Sequence, residues 1–100
     1  MSGVGGKVFE SDEFLVQVCG DHMIYAEKAE VRFDFRNIRK IRIVRDRTKG
    51  TVSKVTYRVK GQLGAFQIDR FAEAEMEELA GLLRVRCKEF SIELSDEAAR

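Results

Sequence analysis

Residues 66–90 read FQIDRFAEAEMEELAGLLRVRCKEF, and within this stretch the chain changes its hydrophobic period from two to 3.6. Phe66 and Ile68 still alternate with polar neighbours, the signature of a strand. From Phe71 onward, Met76, Leu79, Ala80, Leu83, Cys87 and Phe90 recur at spacings of three and four, which places them on one helical stripe. Glu73, Glu75, Glu77 and Glu78 crowd the start, and Arg84, Arg86 and Lys88 crowd the end. That polarity suits the helix dipole, which favours anions early and cations late. The spacing predicts one amphipathic helix over about residues 71–90, and everything before it reads as strand and turn.

Working back toward the start, Val55, Tyr57 and Val59 alternate with Lys54, Thr56, Arg58 and Lys60. Ile38, Ile41 and Ile43 form the apolar set of the segment before them, and Arg47-Thr48-Lys49-Gly50-Thr51 is a polar turn whose glycine suits a left-handed position. Residues 39–60 therefore read as a hairpin with its turn near Lys49. Earlier still, Val31, Phe33 and Phe35 are expected inward, with Arg32 and Asp34 outward. A first hairpin runs from Phe14, Val16 and Val18 through Gly20-Asp21 to His22–Ala26, with Gly20 expected to supply the positive φ of a tight turn. Residues 1–6 are small and glycine-rich, without the basic and apolar regions of a signal peptide, and read as a disordered tail. Residues 91–100 are short and acidic and read as a fraying C-terminal tail.

The expectation is one domain over residues 7–90. Its fold class is mainly β within α+β: a bent, barrel-like antiparallel sheet of six to seven strands, capped by the C-terminal helix. A chain of 100 residues supports one core and little room for a deep cavity. No stretch approaches the roughly 20 apolar residues of a membrane span, so a cytoplasmic location is the default expectation.

The series of strands, the charged hairpin, and Phe66-Gln67-Ile68-Asp69-Arg70-Phe71 leading into Met76-Glu77-Glu78-Leu79 resemble the pleckstrin-homology-like superfold, most of all small bacterial PH-like and GRAM-like domains. In those, a segment of the form matched by Phe35-Arg36-Asn37-Ile38-Arg39-Lys40-Ile41 precedes a charged hairpin. The likeness spans about residues 7–90 and implies a strongly bent sheet whose open mouth is covered by the helix. The chain has no tryptophan, unlike the helix of eukaryotic members, and its first hairpin lacks their basic signature. The resemblance therefore brings no inositol-phosphate site to the Gly20-Asp21 loop.

Charge is distributed unevenly. Residues 28–60 carry twelve Lys/Arg against three acids, a net of +9, while the segments on either side carry −4 each, so the net charge of +1 hides a dipolar molecule. If the hairpin turns near Lys49, then Lys40, Arg42, Lys54, Arg58 and Lys60 share a face. Such a face attracts lipid headgroups, polyphosphate or an acidic protein; a solvated face that deters edge-to-edge aggregation is the other reading. Nucleic acid is disfavoured, because no outward aromatic interleaves the cations as a stacking platform for single strands. A second use of the charge pairs the acidic helix start of one copy with the basic hairpin of another.

Catalytic chemistry finds no foothold. His22 is the only histidine, and its neighbour Asp21 is expected on the opposite face of a strand. Cys19 and Cys87 stand in no metal-binding spacing and read as two core thiols. No cofactor or metal is expected. The function expected is that of a non-catalytic binding or assembly module acting through protein–protein contact or self-association, with binding of anionic lipid headgroups or polyphosphate through hairpin 39–60 as the alternative.

Overall fold

A computed structural model describes residues 6–98. The expected N-terminal tail lies outside the described residues except for Gly6, which is part of the packed structure: a Cβ there would collide with the Val18 carbonyl.

Four strands build the first sheet in the order β1-β2-β3-β4: β1 (Lys7–Glu10), β2 (Leu15–Val18), β3 (His22–Ala26) and β4 (Glu30–Asp34). All neighbours are antiparallel. Phe14, Val16 and Val18 are buried, as their alternation requires, and so are Phe9, Met23 and Phe33. Val31 departs from expectation. It lies on the edge strand opposite half-buried Tyr25 and remains 44% exposed, whereas Phe33 and Phe35 are buried. The turn at Gly20-Asp21 forms where expected, closed by Cys19 N–H donating to His22 C=O at 2.9 Å. Gly20 does so without a positive φ, so the turn does not depend on glycine's special freedom.

A short 3₁₀ turn (Phe35–Asn37), capped by the Asp34 carboxylate accepting from Arg36 N–H at 2.9 Å, leads into the second sheet. Its order is β7-β6-β5-β8, with β5 at Ile38–Arg45, β6 at Val52–Val59, β7 at Phe66–Ile68 and β8 at Glu93–Ala98. The β5–β6 hairpin has Ile41 opposite Tyr57 and Ile43 opposite Val55, all buried. A register irregularity between Ile38 and Lys40 explains how Ile38 and Ile41, three apart, both face inward. The turn is centred as the sequence indicates. The Asp46 carboxylate accepts from Thr48 N–H (2.8 Å) and Lys49 N–H (2.9 Å), and Gly50 takes φ 74°. Those two backbone donors hold the Asp46 carboxyl below the usual range.

Helix α1 (Glu73–Phe90) buries Met76, Leu79, Ala80, Leu83 and Cys87, the expected stripe, with Phe90 half-buried. They join one cluster with Phe9, Val16, Met23 and Phe33 of the first sheet and Ile41, Val55, Tyr57 and Ile68 of the second. Each large side chain of the stripe contributes roughly 1.5–3 kcal/mol by leaving water. The helix contacts β2 of the first sheet and β5, β6 and β8 of the second, so it fills the space both sheets would leave exposed.

Two corrections follow. Among the described residues the strands number eight, in two four-stranded sheets, and do not close into a barrel of six or seven. The acidic segment, as far as it is described, is not a fraying tail: residues 93–98 run parallel to β5 in continuous register from Lys40↔Glu93 to Arg45↔Ala98, and residues 99–100 lie outside the described residues. The domain thus extends beyond residue 90. The physical reason is partnership: Glu93 and Asp96 gain Lys40 and Arg45 on the adjacent strand, and Ile92 enters the core at 8% exposure.

Candidate functional site

The outward side of the β5–β6 hairpin follows from its register. Because inward Ile41 and Ile43 pair with Tyr57 and Val55, the alternate pairs Lys40↔Arg58, Arg42↔Thr56 and Val44↔Lys54 face away from the core. Four of the five expected binding residues, Lys40, Arg42, Lys54 and Arg58, therefore share one face. Lys60 lies just past β6, where its N–H donates to Asn37 C=O at 2.8 Å.

The five cations differ in their partners. Lys40 Nζ pairs with Glu93 at 3.3 Å, and Arg42 is also engaged. Lys54, Arg58 and Lys60 make no ion pair among the described residues. Arg58 and Lys60 are exposed, whereas Lys54 is half-buried and lies toward the opposite end of the strand. The site therefore divides, with the available charge concentrated at the Arg58 end.

At that end, two shallow depressions meet at Lys40 and Arg58. One, about 310 Å³, is lined by Lys40, Arg42, Thr56, Tyr57, Arg58 and Ala65. The other, about 370 Å³, is lined by Arg39, Lys40, Arg58, Val59, Gly61, Gln62 and Glu93. The loop beside them, residues 60–65, is shaped by Gly61 and Gly64, with φ of 78° and 79°, and carries Leu63 at 103% relative exposure. Arg39 and Leu63 are additions to the residues expected from sequence. The signal for Leu63 was present: a leucine within Gly61-Gln62-Leu63-Gly64 belongs to no strand and has no alternation to bury it.

Several acidic side chains elsewhere are paired within the chain. Glu73 pairs with Lys49 at 3.3 Å and Glu78 with Lys7 at 3.5 Å. Glu77 accepts from Val52 N–H at 2.7 Å and lies 3.6 Å from Arg45. Asp96 accepts from Arg45 Nε (2.8 Å) and NH2 (3.1 Å) and also pairs with Arg84. These guanidinium contacts, that with Arg45 foremost, hold the Asp96 carboxyl below the usual range. Within one chain, Glu73 and Glu77 of the acidic helix start thus meet the hairpin at Lys49 and Arg45, and Glu78 meets Lys7 of β1.

His22 and Asp21 also differ from expectation. Asp21 belongs to the turn and not to the strand, and its carboxylate lies 2.6 Å from His22 Nδ1. That hydrogen bond lowers the Asp21 pKa. The neighbouring thiol of Cys19 is buried and its pKa is raised by that burial; burial pushes the Cys87 thiol up to about 11. Both stay protonated and unreactive near neutral pH. Among the described residues, no three acidic, histidine or cysteine side chains gather as a metal site, and no helix is long and apolar enough to cross a membrane.

With family models and with curated proteins, the sequence finds no match.

Proposed function

We propose that this chain is a non-catalytic, PH-like binding module that engages anionic membrane surfaces through the Arg58 end of its second sheet. The PH-like reading is supported by a four-stranded antiparallel sheet followed by the β5–β6–β7 meander and a helix packed against both sheets. The observation that carries the function is the junction of Arg58 and Lys60, both without an acidic partner among the described residues, with the fully exposed Leu63. An isolated exposed leucine is unremarkable on a soluble surface. One at the tip of a glycine-shaped loop, beside open depressions lined by cations, has the two features of an interfacial anchor: an apolar group for the acyl boundary and positive charge for the headgroups. Each cation near an anionic leaflet contributes about 1 kcal/mol. With Arg39, three cations give a weak, salt-sensitive attachment. Protein–protein association, the first function expected from sequence, is the second reading; its charge-pairing route competes with the internal pairs of Glu73 and Glu77.

Co-sedimentation with phosphatidylcholine vesicles, with and without phosphatidylserine, tests this. Binding is expected only to the anionic vesicles and only at low salt. Arg58→Glu with Lys60→Glu abolishes it, and Leu63→Ser weakens it severalfold at unchanged charge. Absence of salt-sensitive binding to phosphatidylserine vesicles refutes the proposal.

A further inference from the structure

β8 differs from the other described strands. It alone joins its sheet in parallel, it forms an edge, and only Ser91-Ile92 separate it from α1. Ser91 is also the one non-glycine residue among those described with a positive φ, 55°. The bend is held by Ile92 N–H donating to Cys87 C=O at 2.9 Å. A serine in this conformation carries strain that an extended backbone would release. The hinge is therefore short and under tension.

The strand beyond it is attached by complementarity that does not require its own chain. Glu93 meets Lys40 at 3.3 Å, Asp96 meets Arg45 at 2.8 Å, and the backbone register continues from one pair to the other. Any copy of residues 93–98 laid on β5 would remake these contacts, including that of Asp96 with Arg84. Short strained hinges dispose terminal elements to exchange between identical chains.

We infer that two copies of this chain associate by exchanging β8, each laying residues 93–98 along the other's β5 in a two-fold dimer. Ser91 then becomes extended, and the buried contacts are retained. The exchange is independent of membrane engagement, since it leaves Arg58, Lys60 and Leu63 in place.

The full chain, refolded at low and at high protein concentration, tests this by light scattering after size exclusion. A dimer fraction that rises with the refolding concentration is expected. Ser91→Pro, which can neither take a positive φ nor donate to Cys87, should raise that fraction severalfold over Ser91→Gly, which relaxes the hinge. A second measurement keeps the native hinge. Arg42→Cys and Ser95→Cys are placed in separate copies, which are refolded together and then oxidised, because Arg42 and Ser95 are register partners. The native thiols are buried and protonated and do not compete. A disulfide between the two variants supports exchange. Its absence overturns the inference, whether or not Ser91→Pro folds. A full chain that stays monomeric yet binds a synthetic peptide of residues 91–100 also overturns it, making the β5 edge a site for a separate acidic strand.

Discussion

Replacing Tyr57 by phenylalanine should stabilise this protein, although the residue is 1% exposed and at the centre of the core. Its ring packs edge-on to Phe33 at 5.2 Å and stacks on Phe66 at 5.3 Å, and both contacts survive the change. The hydroxyl is the one buried side-chain polar atom among the described residues without a hydrogen-bond partner. Burying such a group costs about 1–3 kcal/mol by mutational measures. Removing the oxygen forfeits a few dispersion contacts, about 0.5–1 kcal/mol in all. The net expectation is a gain of about 1 kcal/mol, or a rise in melting temperature of roughly 4–8 °C for a domain of this size. Urea denaturation should show a higher midpoint at unchanged slope. A pH series adds a second check. Burial, with the proximity of Tyr25, raises the Tyr57 phenol above its ordinary value. A folded pKa above the unfolded one leaves stability intact below about pH 10 and erodes it as pH rises beyond. The advantage of the phenylalanine variant should therefore widen in alkali. A variant less stable than wild type, or a gap that stays constant above about pH 10, refutes the assignment of a stranded hydroxyl.

Leu83→Ala tests whether the helix plugs the two sheets: Leu83 is 0% exposed, and a loss of about 2–5 kcal/mol is expected in chemical denaturation. A loss under about 1 kcal/mol would mean that the site is not a packed core. Asp96→Asn tests the attachment of β8. The Asp96 carboxyl is held low chiefly by Arg45, so its contribution is present above the unfolded pKa of about 3.9 and disappears as pH falls through the lower folded value. Wild type should exceed the variant by about 1 kcal/mol near neutrality and by nothing in strong acid. An equal gap at both pH values would show that the charge is not responsible.

The β5–β6 hairpin was legible residue by residue, because one face is buried and a slip of one residue would expose Ile43 and bury Arg42. The helix was legible for the same reason, its stripe having one period and one core to face. The first hairpin forms where its alternation and turn residues indicate, although Gly20 turns without a positive φ. Val31 stays exposed despite its alternation, because alternation assigns a side of the sheet but not how far the covering layer extends over an edge strand. Within the candidate site, the shared face of Lys40, Arg42, Lys54 and Arg58 was readable from register, whereas the division into engaged and available cations was not.

From the order of its residues alone, this protein has strands up to Ile68, a single amphipathic helix after them and a strongly basic hairpin, since each depends on neighbours a few positions away. The splitting of the strands into two sheets, the recruitment of β8 and the internal pairing of the acidic helix start appear only in three dimensions. Those features depend on contacts between distant segments, such as Arg45 with Asp96, fifty-one positions apart. A short acidic run has no hydrophobic period that would reveal the strand waiting for it. Its structure comes from the edge of β5 and the cations alongside.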